Sequence, residues 1–577
     1  MEKRTIIAII LTFLVIVLWG VIQSKYFPQE PSKPEPKEVR KEVTPTPEKQ
    51  VEKESPRAAT EKPLPSAKAV PKKEVSVETQ DYVATFTSDG AKLKHYKLKE
   101  YFDRVEESAI TLKLTQFVKE ILGGEIKKPT PPDHLDLVNT DEKEELPLGL
   151  SIDSNPVFSA GNWEVNTEQL RLLTDGEQGE VSFSKSLENG LKVVKRFNFR
   201  SDKDTIGLEV EIQNTSQREI PVRIGVEWIG RIELKKLAET DNKDYGFKYA
   251  FLKNQKVETK ALGGTSSSGC TPGCGSPKTT VEPFDFIDRG PIEWFSFGGE
   301  YFTSMLIPPP SKGEITLTVK GSSDNLLKAE ISSPAIPLAS GQTASLPYRI
   351  YMGPTKVEQL KELGFGAEKL VDFGWFNVVG KPLLWFLNLT HSVTRNFGID
   401  IIILSILIKI IFLPLTQISF KSMKEMQKVQ PEMARLKEMY KNDKARLQQE
   451  MMLLYKRRKI NPMSGCLPMA IQIPVFIALY NVLQSTFEMR HAPFFLWIRD
   501  LSAKDPIYLT PLVMGASMVI QQKMTPTAAD PAQAKMFMLM PVMFTFLFLN
   551  FPSGLVLYWL VNNVLSIAHQ YYLTKQP

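Results

Sequence analysis

Three cysteines and five histidines (His95, His134, His391, His491 and His569) are spread thinly through 577 residues. That scarcity excludes a disulfide-built scaffold and offers no cluster of soft ligands, so no metal is expected. Charge is absent between residues 536 and 568. Aromatics are absent between residues 28 and 75, which hold 20 charged residues and ten prolines instead. No excess of one charge sign supports general nucleic-acid binding, since 71 basic and 65 acidic side chains leave a net of +6. DNA is not an expected partner. The average composition, 42% hydrophobic and 24% charged, would suit a soluble protein. Its uneven distribution excludes both a wholly soluble globule and a chain that is all membrane, and the length requires more than one folded unit.

Lys3 and Arg4 precede an uncharged run over residues 5–24, about the length a membrane helix needs. No small-x-small cleavage site follows, and the basic pair favours a cytoplasmic start. Residues 1–25 are therefore expected to form an uncleaved transmembrane anchor. Residues 26–78 read as a disordered Pro/Lys/Glu linker, too poor in apolar surface to offset chain entropy. From 79 to 370 the pattern has period two. Val181-Ser-Phe183, Ile206-Gly-Leu208-Glu-Val210-Glu-Ile212 and Val222-Arg-Ile224-Gly-Val226-Glu-Trp228 alternate apolar and polar residues, as strands with one buried face do. Asn189-Gly190 suits a two-residue hairpin turn. A large antiparallel β-sandwich on the non-cytoplasmic side is expected. Within it, Cys270 and Cys274 form either a loop staple or two free thiols. No spacing of carboxylates nominates an enzyme.

Residues 371–394 place Phe376, Val379, Leu383, Phe386, Leu387 and Thr390 at helical spacing, opposite Asn377, Lys381, Asn388 and His391. With Trp375 and Trp385, this predicts an amphipathic helix in the membrane interface. Five apolar segments follow, at about 397–416, 464–484, 507–522, 536–550 and 553–569. With the anchor they give six transmembrane helices and cytoplasmic termini. Residues 417–460 carry twelve basic and five acidic residues, while residues 485–506 balance three with three, which orients the bundle by the positive-inside rule. The basic segment predicts two helices, at about 431–440 with Pro431 in the first turn, and at 444–459. Its Lys437, Lys441, Lys444, Arg446, Arg457 and Arg458 suit either a solvated or lipid-resting hairpin or a docking surface for a ribosome or targeting factor. The run 536–549 is short, about 21 Å of helix against about 30 Å of hydrocarbon, which hints at a perturbed bilayer.

Lys409 is the lone charge between residues 401 and 420. An ammonium at that depth costs a few kcal/mol or more and marks a wet interior site by default. Ser405 one turn before it and Thr416 two turns after it extend a polar stripe, and Gln472, Asn481, Gln484, Gln521, Asn562 and Asn563 add polar groups from other segments. Sixteen of 19 methionines lie after residue 400, suiting a surface that accepts varied apolar partners. A small-solute transporter or channel would also place a lysine in a cavity, but should show paired ionisable groups in several segments.

Five runs stand out in the C-terminal third: Lys409-Ile-Ile-Phe-Leu-Pro414-Leu-Thr416, Asn461-Pro-Met-Ser-Gly-Cys466-Leu-Pro468 with Gln472-Ile-Pro474, Ala492-Pro-Phe-Phe-Leu-Trp497-Ile-Arg-Asp-Leu-Ser502, Gln522-Lys-Met-Thr-Pro526 and Phe551-Pro-Ser-Gly554-Leu-Val-Leu-Tyr558-Trp559. Together they resemble the YidC family of membrane-protein insertases. The likeness is dense over about 370–573, and the tethered β domain resembles the form whose outer domain is a β-supersandwich. It implies an insertase and folding chaperone of the bacterial inner membrane, not an enzyme, with no cofactor or nucleotide. The implied partners are nascent membrane proteins, the Sec translocon, ribosomes with their targeting machinery, and lipids. It further implies a groove open to cytoplasm and lipid, with Lys409 where the family more often has Arg, and Ser405, Tyr558 and Trp559 lining it.

Overall fold

The computed structural model describes residues 70–106, 112–116, 120, 131–153, 160–187, 190–234, 244, 248–262, 281–311, 313–458, 467–524 and 531–575, all within one compact unit. The anchor, the linker through residue 69, the Cys270–Cys274 loop, Asn189, residues 461–466 and the middle of the 522–534 loop lie outside them.

The β domain begins earlier than the sequence reading places it. Glu74–Glu78 is a strand paired antiparallel with Tyr82–Thr87, because its Val75 and Val77 alternate into the core and are fully buried. The linker therefore ends before residue 74. A nine-stranded sheet runs in the order Lys256–Ala261, Lys248–Lys253, Ile292–Gly298, Phe302–Ile307, Thr343–Pro354, Thr205–Asn214, Leu191–Arg200, Gln178–Ser186 and Glu164–Val165. Two five-stranded sheets share its core. Phe86 of one stacks near Phe183 and Phe197 of the large sheet, and Phe284 and Phe286 of the other lie against Tyr249. This is a β-sandwich held by interleaved aromatics.

Thr205–Asn214 shows the expected alternation, with Ile206, Leu208, Val210 and Ile212 buried. Ile224–Arg231 does not. Both of its faces are covered, and Glu227 is buried against Lys328 at 3.3 Å. A further strand, Leu150–Ile152, and the loop before it pair with its backbone edge, so Ile224–Arg231 lies inside its sheet and not at a solvated margin. Lys195 is fully buried too, donating to the carbonyls of Ala91 and Leu148 at 2.5 and 2.6 Å.

Helix α1 (Val357–Leu363) closes the sandwich, its Leu360 packing with Trp294, Met305 and Tyr351. The helical half follows: α2 (Asn377–Thr394), α3 (Phe397–Ile411), α4 (Leu413–Met439), α5 (Lys444–Arg457), α6 (Leu467–Ser485), α7 (Leu509–Met524), α8 (Pro531–Phe548) and α9 (Ser553–Lys575). Asn396 caps α3 by accepting from Gly398 and Ile399 N–H groups. Among the described residues, no single helix is long and apolar enough to cross a membrane, although α3 and α4 together pass that test as a pair bent by 60°.

Two helical expectations are corrected. The segment 397–416 is not one helix: it breaks at Phe412, and Pro414 sits at the start of α4, where its missing N–H costs nothing. Thr416 therefore does not continue the face of α3. Nor does Pro431 open a helix; it lies inside α4, which extends unbroken to Met439. The turn and second helix are as expected, with Asp443 accepting from the Arg446 N–H at 3.0 Å to start α5. Met426, Val429 and Met433 of α4 pack on Met451, Leu454 and Tyr455 of α5.

Candidate functional site

Helices α3, α7 and α9 build the site around Lys409. Phe397, Ile401, Leu404 and Ile408 of α3 are buried, while Ile406, Ile410 and Ile411 are exposed. Lys409 sits half-buried at the margin between these faces, in the last turn of α3, where a cation complements the helix dipole. Its Nζ donates to Ser566 Oγ of α9 at 2.6 Å. Ser566 Oγ in turn donates to the Asn562 carbonyl at 2.7 Å. The described residue bonded to the ammonium is thus a neutral hydroxyl, so its positive charge is not cancelled by a carboxylate.

The α9 face continues upward. Asn562 donates to the Tyr558 carbonyl at 2.9 Å. The Tyr558 hydroxyl is buried without a hydrogen bond of good geometry, although Gln472 of α6 and Asn562 lie near it. Asn563 Nδ2 donates to Ser517 Oγ at 3.0 Å, tying α9 to α7. Gly515 lets α7 approach α8, since a Cβ there would fall 2.0 Å from Thr545 Oγ1.

The other candidates are placed differently. Ser405 is fully buried and spends its hydroxyl on the Ile401 carbonyl of its own helix. Thr416 does the same with Phe412, beyond the bend. Trp559 turns to an aromatic cluster with Phe476, Phe544 and Phe548 at 5.1 to 6.0 Å. Asn481 donates to the Phe373 carbonyl, a structural tie below α2. On the hairpin, Lys441, Arg446, Arg457 and Arg458 are exposed, Lys437 is half-buried, and Lys444 opens α5. Met439, Met452 and Leu453 of the same hairpin are exposed as well.

Ser566 escaped sequence reasoning, yet its signal was present: Tyr558, Asn562 and Ser566 repeat every four residues on one helix face. Asp400 was also missed. It is fully buried and accepts from Thr394 Oγ1 at 2.6 Å, with His391 Nδ1 at 3.0 Å.

The loop between α6 and α7 packs on the start of α9. Asp505 accepts from the N–H groups of Ile507 and Thr510, which starts α7. Gly554 and Ser553 of α9 donate to the Leu501 and Ala503 carbonyls. The loop also grips the β domain. Arg490 makes a two-pronged ion pair with Asp244 at 2.5 and 2.7 Å, both side chains nearly inaccessible, and stacks over Phe302. Phe487 meets Tyr101 and Phe302 edge-on at 5.3 Å. Burial holds Glu488 above the usual carboxylate range and pushes the His491 imidazole down to about 3.

Comparison with known proteins accounts for both halves. Residues 389–577 match the family described as 60Kd inner membrane protein, and residues 126–386 match the YidC periplasmic domain. A membrane protein insertase YidC from Syntrophus aciditrophicus is 36% identical over 593 residues, spanning all of both chains. One from Geobacter sulfurreducens is 39% identical over 505 residues, covering 86% of this chain and 85% of the relative. A crystal structure of an active YidC insertase aligns at 20% identity with a TM-score of 0.36, covering 87% of this chain and 92% of that one. The chain belongs to the YidC family of membrane protein insertases, non-enzymatic proteins of the inner membrane that carry a periplasmic domain.

Proposed function

We propose that this protein inserts membrane proteins by drawing the hydrophilic segment of a nascent client into a groove beside Lys409, entered from the cytoplasm. The supporting observation is the ammonium itself, half-buried in a hydrophobic bundle and bonded to a hydroxyl rather than a carboxylate. Burying a client's polar segment in bare lipid is prohibitive. A fixed positive charge within hydrogen-bonding surroundings lowers that barrier, and acidic residues of the client are attracted to it. The client's apolar segment meanwhile leaves sideways past the exposed Ile406, Ile410 and Met543, driven by hydrophobic transfer.

In this reading α3, α6, α7, α8, α9 and the N-terminal anchor are six spans with both termini cytoplasmic. The tied outer loop closes the groove on the periplasmic side. Helix α2 lies in the interface: Trp375, Val378, Trp385, Leu389 and Val393 are exposed, while Leu383, Leu384 and Leu387 pack inward. Lys409, Gln472, Tyr558 and Asn562 serve the groove; Ser405, Thr416 and Trp559 support it from its edges. The basic hairpin docks ribosomes or targeting factors, and the protein acts as a folding chaperone both alone and beside the Sec translocon. The test is reconstitution in liposomes with a short acidic client. Lys409→Arg is expected to insert as well as the parent and Lys409→Glu at least tenfold less; equal activity in all three contradicts the reading.

A further inference from the structure

We propose that His569 is a second client-contact residue of the groove, a hydrogen-bonding station for acidic hydrophilic segments on the cytoplasmic side of Lys409. This inference rests on the groove reading and extends it. His569 lies three residues beyond Ser566 on α9, about 4.5 Å further along the axis and on the same face. Ser566 itself accepts from Lys409 Nζ at 2.6 Å, which sets the ammonium one turn from the ring. The ring meets Phe420 of α4 edge-on, at a centroid distance of 5.7 Å. Yet both ring nitrogens are shielded from solvent and neither has a hydrogen-bond partner.

An imidazole fixed by its edge contact while its donor and acceptor stay unused is costly, on the order of 1–3 kcal/mol for each unmatched group. Such a cost is offset when a ligand supplies the missing bonds. The neighbours define that ligand. The Lys409 ammonium and the Ser566 hydroxyl lie one turn away, so a carboxylate that displaces the side chains covering the ring meets a cation on one side and an imidazole N–H on the other. A peptide N–H passing the ring would find the lone-pair nitrogen. Phe420 belongs to the helix that leads to the basic hairpin, which places His569 on the path from that hairpin to Lys409. The order along α9, imidazole then hydroxyl then amide, forms a ladder along which a polar segment exchanges partners without a dry step.

The experiment uses the full chain in liposomes and two single-span clients that differ only in Asp or Asn residues in the translocated segment. His569→Phe keeps the ring against Phe420 and removes both nitrogens. It is expected to lower insertion of the Asp client roughly fivefold, the size of one hydrogen bond, and to leave the Asn client within twofold. His569→Gln, which keeps a donor and an acceptor, should restore the Asp client. Equal loss on both clients, or no loss on either, overturns the proposal. Lys409→Glu, run in parallel, separates the two failures. If it blocks insertion while His569→Phe spares the Asp client, only the role of His569 falls. If it too has no effect, the groove reading falls with it.

Discussion

Two lysines, one half-buried and one fully buried, show what a single residue contributes in this protein, and they do opposite things. Lys409 keeps its charge uncancelled beside a hydroxyl. Lys195 is sealed in the β domain, and burial pulls its ammonium down to about 7. Its folded pKa thus lies below the unfolded value. Between pH 10.5 and about 7 the unfolded chain holds a proton that the folded chain lacks, so stability falls as pH drops through that window. Lys195→Met should flatten this part of the thermal-unfolding profile measured against pH, a difference of a few kcal/mol at its fullest. An unchanged slope would show that the amine reaches water. Lys409 was legible because it interrupts an apolar run; Lys195 was not, because Lys-Val-Val-Lys-Arg-Phe within an alternating strand looks like a solvated face. Its burial comes from strands and loops distant in sequence, and local pattern carries no trace of them.

Among elements, the loop between α6 and α7 stands out, since sequence reading saw only a charge-balanced outer connection. One of those charges is not solvated: Arg490 forms a closed pair with Asp244 across 246 residues, while Arg499 and Lys504 are exposed. Removing one partner of such a pair leaves a buried charge, which typically costs about 3–5 kcal/mol. Arg490→Ala should therefore speed hydrogen exchange and proteolysis within residues 486–505. Adding Asp244→Asn should recover part of the loss, whereas additive losses would show that the pair is not coupled. Acid acts on the same loop. With His491 held down to about 3, the folded loop resists a proton that the unfolded chain accepts near 6.5, so the docking should weaken as pH falls from 6.5 toward 3. His491→Phe should remove that dependence. The break between α3 and α4 was signalled by Pro414 but hidden by the apolar residues around it, which continue smoothly through the bend.

For the whole molecule, period-two and period-3.6 patterning separated the β half from the helical half correctly, because each burial pattern is set by local repeat. How the halves join was not legible, since Phe102, Asp244, Phe302 and Phe487 converge from separate segments. The joint alters what deletions mean. Removing residues 82–245 would leave insertion intact if the β domain were merely tethered. In this fold the deletion also takes Tyr101 and Asp244 from Phe487 and Arg490, and severs the nine-stranded sheet. Asp244→Asn is the cleaner probe, expected to loosen docking while retaining most insertion in liposomes. The account as a whole stands on the ammonium site being reached by water from one side. With Cys270, Cys274 and Cys466 replaced by Ser, the direct measurement is alkylation of Lys409→Cys by a charged, membrane-impermeant maleimide in oriented vesicles. Labelling from the cytoplasmic face alone is predicted; labelling from both faces, or from neither, would contradict it.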